Sequence, residues 1–271
     1  KPSDEYGWWI DRTDLREQLK THVTIRNVWT SARNIVLRSG NPHNYLRMVE
    51  HIVALRLGMG VDDLVISVNS GDPPLFERSS LDLVEAINRA GIIERDEPAR
   101  YVTVKEPVTF GGDRGDFLTF LPAENSEKKL RLDCAIDFNS IIGKQRIVFD
   151  VTPETFRHGA YARTNASYSQ LLMCRTFGFL MADTRNLGYT TDNILIHGKK
   201  KFYGEPRLVQ GDSGKAMEPV WHRATLDLLA AIALIDTGRF VGCVVSYRAG
   251  HTLDVRAIGQ LYLNNLLTPV M

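Results

Sequence analysis

A chain of 271 residues with 44% hydrophobic and 24% charged residues has the make-up of a globular protein, long enough for one large domain or two ordinary ones. Its 33 basic residues are balanced by 32 acidic ones and no basic block stands out beyond Lys199-Lys200-Lys201, which argues against a nucleic-acid partner. No apolar run approaches the roughly 18 residues needed to cross a membrane.

Cys134, Cys174 and Cys243 lie far apart without C-x-x-C spacing and cannot all pair, so buried thiols in a reducing compartment are expected. The sequence opens on Lys1 with no signal-peptide pattern, and a cytoplasmic protein whose sequence here starts inside a longer chain is the expectation.

In chain order, strands are predicted over 7–11 and 22–28, then a helix around Glu50 that ends at Gly58 or Gly60, then a strand over 63–68. After Pro73-Pro74, the Leu81, Leu83, Val84, Ile87 spacing predicts a helix over 79–90, stopped by Gly91. Strands over 100–110 and 117–121 flank the turn Gly111-Gly112-Asp113-Arg114-Gly115. Strands over 129–138 and 145–151 precede a helix capped by Thr152, with Pro153 at its first position. Apolar segments follow at 169–180 and 193–197, then a helix through His222, a strand over 239–247 and a closing helix over 252–266. There is no strict βαβ alternation and no short repeat, so the fold class is α+β. The polar cluster at 124–129 suggests a cut there. Residues 1–126 would carry the Glu50-His51 helix and 127–271 the His222 helix and His251, as two similar layers facing across a cleft.

Three places could carry chemistry. Glu50 and His51 put a carboxylate beside an imidazole on one helix. His222 and Asp227 share a second helix, and Asp227 falls among Leu226, Leu228, Leu229, Ala230 and Ala231. Burying that carboxylate costs several kcal/mol unless a cation meets it, and either a metal or Arg223 could be that cation. His251 directly follows a strand. Two imidazoles and a carboxylate (His51, His222, Asp227) form a zinc set with a position left for water, and Glu50 and His251 are then free to move protons. Taken singly, His51 also reads as a partly buried helical histidine and His222 as a partner for open backbone. His22, His43, His158 and His197 are expected only to pack or sit at the surface.

The motifs resemble those of the zinc-dependent UDP-3-O-acyl-N-acetylglucosamine deacetylases of lipid A synthesis (LpxC). Val49-Glu50-His51 with Gly58-Met59-Gly60-Val61-Asp62 looks like that family's S/T-V-E-H…G-L-G-I-D. Ile136-Asp137-Phe138-Asn139 matches its I-D-F, and Arg175-Thr176-Phe177-Gly178-Phe179 its R-T-F-G-F. His222 to Asp227 resembles H-K-x-L-D, and Gly250-His251-Thr252-Leu253 resembles G-H-x-L. Order and spacing agree over nearly the whole chain, although the family's G-x-G-L-H strand pair is not visible. The resemblance implies zinc on His51, His222 and Asp227, Glu50 as general base and His251 as general acid. It also implies an oxyanion contact from Thr176, substrate contacts from Arg223 and Phe177, and a nucleotide-sugar substrate, the lysine at the Arg223 position being the one that meets substrate phosphate.

Four departures accompany the match. The His-to-Asp spacing is five rather than four; on a regular helix that sets the two roughly 140° apart. A π-bulge would restore the geometry, whereas a rival alignment puts Arg223 at the ligand position. Ala231 stands where the family has an acid that supports the catalytic histidine. Leu121 replaces the lysine of F-K-P. Finally, Tyr189-Thr190-Thr191-Asp192 and Glu77-Arg78-Ser79-Ser80 stand for its G-G-S loop and D-G-S-A turn. Metal chemistry is better kept than substrate recognition, so a divergent relative acting on an N-acylated amino sugar is expected. The rivals are a deacetylase of a different N-acyl sugar and a catalytically silent binding protein on the same scaffold. The segment 193–203, expected to form an acyl passage, is short and lysine-rich.

Overall fold

In the computed structural model, which describes residues 5–17, 19–124, 127–177, 190–210 and 214–270, Trp8–Arg12 alternates buried and half-buried positions as a one-sided strand must. It pairs parallel with Leu64–Val68 and antiparallel with Thr21–His22. A small antiparallel sheet of Val28–Thr30, Val36–Arg38 and Tyr45–Leu46 leads into the first helices. The largest sheet has five strands in the order Gly143–Asp150, Leu130–Phe138, Gly242–Tyr247, Phe117–Leu121, Val108–Gly111. Leu130, Leu132, Cys134 and Ile136 point from it into the interior. A three-stranded sheet joins Arg239–Phe240, Tyr101–Val104 and Leu267–Val270, and another joins Thr164–Ser167, Ile194–His197 and Phe202–Tyr203.

The helices are α1 (Glu50–Val53), α2 (Leu55–Gly58), α3 (Leu81–Ala90), α4 (Pro153–Gly159), α5 (Tyr168–Phe177), α6 (Glu218–His222), α7 (Leu229–Ile232) and α8 (His251–Leu263). A π-helical turn, Arg223–Leu228, joins α6 to α7. Gly91 stops α3 in a left-handed conformation, and Thr152 caps α4 by accepting from the Thr155 backbone, both as read from the sequence. The fold is α+β, as expected. Helices α1, α2 and α8 pack on α7, and one hydrophobic core runs from Trp8 through Phe120 and Phe156 to Leu229 and Ile258.

Two predicted strands are each two strands in different sheets. The run over 100–110 breaks at Lys105-Glu106-Pro107, where proline cannot donate to a ladder. The run over 239–247 breaks before Gly242, whose positive φ and close approach to the Leu121 carbonyl exclude a side chain. Residues 117–121 pair with 243–247, and 108–111 pair with 117–120, so the cut expected near 126 passes through the five-stranded sheet. The polar composition at 124–129 carries no information about which strands pair.

Two contacts have direct consequences for stability. A Cβ on Gly58 would fall inside the ring of Phe156, which pins α2 on α4. Gly58→Ala should therefore cost about 1–3 kcal/mol of overpacking and lower Tm by several degrees in calorimetry. Asp236 accepts hydrogen bonds from the Tyr262 hydroxyl (2.6 Å) and the Thr24 hydroxyl (2.9 Å). Burial, then the bond to Asp236, pushes Tyr262 up to about 12. Its contribution is thus fully present below the ordinary tyrosine pKa of about 10 and is lost as pH rises through the raised value. Stability of the wild type should fall between about pH 10 and 12 more steeply than that of Tyr262→Phe, as read by denaturant midpoints; parallel curves would remove Tyr262 from that role.

Candidate active site

The chain turns into α1 through Met48, a non-glycine residue in the left-handed region, which presents Glu50 and His51 at the start of the helix. Glu50 is buried and accepts a hydrogen bond from the Ile35 backbone, at the beginning of a strand of the small hairpin sheet. Burial raises the Glu50 pKa, with attraction to His251 opposing. His51 Nδ1 lies 3.1 Å from Ser79 Oγ, and the Ser80 hydroxyl donates to the His51 carbonyl at 2.7 Å. Ser79 itself is in the left-handed region, just ahead of α3. The other ring nitrogen of His51, Nε2, lies 3.3 Å from Nε2 of His222. Burial, reinforced by repulsion from His222, pushes His51 down to about 3, so it is a neutral imidazole at physiological pH.

The five-residue step from His222 to Asp227 is absorbed by the π-helical turn, as the bulge alignment predicts. Bonds of the i to i+5 type bring residues five apart toward one side, and His222 Nδ1 lies 3.5 Å from Asp227 Oδ2. Within the turn Thr225 donates its hydroxyl to the Trp221 carbonyl at 2.6 Å, a back-bond of the kind that accompanies bent helices. Burial works against the Asp227 charge, but attraction to His222 and His251 and the hydrogen bond from His222 hold it well below the usual carboxylate range. His251 opens α8, with Nε2 at 3.9 Å from Asp227 Oδ1 and Nδ1 at 3.7 Å from Glu50 Oε1. Burial opposes protonation of that ring, yet Asp227 and Glu50 raise its pKa. Glu50, His51, His222, Asp227 and His251, spread over two hundred residues of chain, therefore meet at one place.

Two imidazoles and an anionic carboxylate are the right chemistry for zinc. A nitrogen–nitrogen separation of 3.3 Å suits two ligands on one tetrahedral ion with bonds of about 2.0–2.1 Å. Asp227, however, faces the far nitrogen of His222, and among the described residues no three His, Cys, Asp or Glu side chains are arranged as a complete metal cluster. The residue types fit the ion, and the Asp227 carboxylate would have to turn from His222 Nδ1 to join it.

Other expected site residues are placed differently. Arg223, expected at substrate phosphate, is turned into the interior: its Nη2 lies 2.6 Å from Asp254 Oδ1 and its Nε donates to the Ala249 carbonyl at 2.9 Å. The alignment that makes it a metal ligand fails for the same reason. Asp254 is fully buried against it. Thr176 is exposed on α5, and its hydroxyl donates to the Leu172 carbonyl of its own helix at 2.9 Å. The Phe177 side chain and residues 178–189, including Tyr189 and the end of the R-T-F-G-F match, lie outside the described residues. Sequence reasoning missed Ser79 as the partner of His51 and the Ile35 backbone as the partner of Glu50. It could have found Asp254 near the site, since three residues after His251 is one helical turn.

Among the described residues no helix is long and apolar enough to cross a membrane. The family model described as UDP-3-O-acyl N-acetylglycosamine deacetylase (LpxC) matches residues 1–262. Proteins named UDP-3-O-acyl-N-acetylglucosamine deacetylase from Brucella ovis, Brucella canis and Brucella suis are each 26% identical to this chain over 270 residues, covering 96% of it and 85% of their own length. The chain belongs to the LpxC family of UDP-3-O-acyl N-acetylglycosamine deacetylases.

Proposed function

We propose that this protein is a zinc-dependent hydrolase that removes acetate from UDP-3-O-acyl-N-acetylglucosamine or a close analogue, with no nucleic-acid partner. Membership of the family and the names of its relatives support the substrate class. The single observation that carries the chemistry is the meeting of His51 and His222 at 3.3 Å, from helices that lie far apart in sequence.

His51, His222 and Asp227 would hold the ion. When bound, zinc supplies a Lewis acid that polarises the amide carbonyl and acidifies water. Glu50, buried and with its pKa raised, takes the proton from the attacking water. His251, whose pKa Asp227 and Glu50 raise, gives a proton to the departing amine so that it leaves neutral. The Ile35 backbone holds the Glu50 carboxylate still, and Ser79 fixes the orientation of the His51 ring.

The test is paired. Protein purified in the presence of zinc is expected to carry about one ion per chain and to release acetate from UDP-3-O-acyl-N-acetylglucosamine. A folded, metal-free protein that releases none would overturn the proposal. Acetate release from a plain N-acetyl sugar but not from the UDP-linked one would keep the chemistry and replace the substrate.

A further inference from the structure

The least expected pairing next to the site is Arg223 with Asp254. Both side chains are buried, at 7% and 0% exposure, and they connect the two elements that carry the chemistry. Arg223 is the first residue of the π-helical turn, directly after His222, and Asp254 is one turn into α8, directly behind His251. The guanidinium also donates to the Ala249 carbonyl, so it grips the chain on both sides of the α8 start. Arg223 Nη1 and Asp254 Oδ2 take no partner from the protein. A buried pair of this kind repays its desolvation poorly, and well-packed apolar residues usually serve stability as well or better. Stability alone therefore does not account for it, and the pair ties the turn that bears Asp227 to the helix that opens on His251. Position 231, one turn beyond Asp227, is occupied by a buried alanine and offers His251 no such support.

We propose that the buried Arg223–Asp254 pair is a positioning device that holds His251 against Asp227, and that Arg223 makes no contact with substrate. This rests on the deacetylase reading. Its test uses the full chain loaded with zinc. Asp254→Asn is expected to lower kcat by about ten- to a hundred-fold with KM within about twofold, the size of effect that a small misplacement of a proton donor produces. Arg223→Lys, which keeps the charge but loses the planar fork, is expected to lower kcat about tenfold with KM again nearly unchanged. The double variant Arg223→Leu/Asp254→Leu is expected to regain wild-type Tm without regaining kcat, and its crystal structure to show the His251 ring displaced from Asp227.

A double variant that recovers both Tm and kcat would reduce the pair to a structural role. A raised KM with kcat preserved in Arg223→Lys would mean that Arg223 meets substrate after all. If Asp254→Asn does not fold, the lysine and double-leucine variants decide. Should the wild type release no acetate, the deacetylase reading fails by itself, and the ring position in the double variant still decides whether the pair positions His251.

Discussion

Glu50→Gln is expected to bind zinc as the wild type does while kcat falls by about a hundred- to ten-thousand-fold, the range a positioned general base supplies. Glutamine keeps the length of the side chain and an oxygen able to accept from the Ile35 backbone, so the local hydrogen bonding survives. What disappears is the capacity to take a proton. Glu50 is buried and its pKa is raised, chiefly by burial, so the charged form is held at a cost in the folded protein. The neutral amide relieves that cost, and the variant should be at least as thermally stable as the wild type. This combination of an unchanged metal content, an unchanged or higher Tm and a collapsed kcat separates loss of a base from loss of a ligand. Turnover near the wild-type level would remove Glu50 from the reaction.

How much of this was legible in the sequence depends on the physical signal each residue carries. Asp227 could be found because a carboxylate in an apolar run demands a partner, and the five-residue step to His222 announced a helix that could not be regular. The π-helical turn satisfies both demands. The direction of Arg223 was not legible, because helical periodicity assigns faces at 3.6 residues per turn and the π-helical turn breaks that register at Arg223. The strand splits at Pro107 and Gly242 were readable from residues that interrupt ladders, but the sheets those strands join were not, since pairing is decided by contacts remote in sequence. For Thr176, a motif match located the residue but neither its helix nor the hydroxyl bond to Leu172, which depends on local geometry that no motif specifies.

His51→Ala should release zinc, and it discriminates more sharply than any activity measurement because it reads the metal directly. The ring supplies one of two nitrogens that lie 3.3 Å apart, and nothing else among its hydrogen-bond partners can replace it: Ser79 offers only a neutral hydroxyl. Affinity measured by competition with a chelator is expected to fall by orders of magnitude, with fold retained. Leaving the buried Ser79 hydroxyl without its partner should cost about 1–3 kcal/mol. Ser79→Ala provides the graded control. It leaves the ligand in place but frees the ring to rotate, and loss of such an outer partner typically weakens metal binding by roughly ten- to a hundred-fold. The order expected is wild type, then Ser79→Ala, then His51→Ala. If His51→Ala keeps a full complement of tightly bound zinc, the ion sits elsewhere, and the convergence of α1 on the π-helical turn has a different purpose.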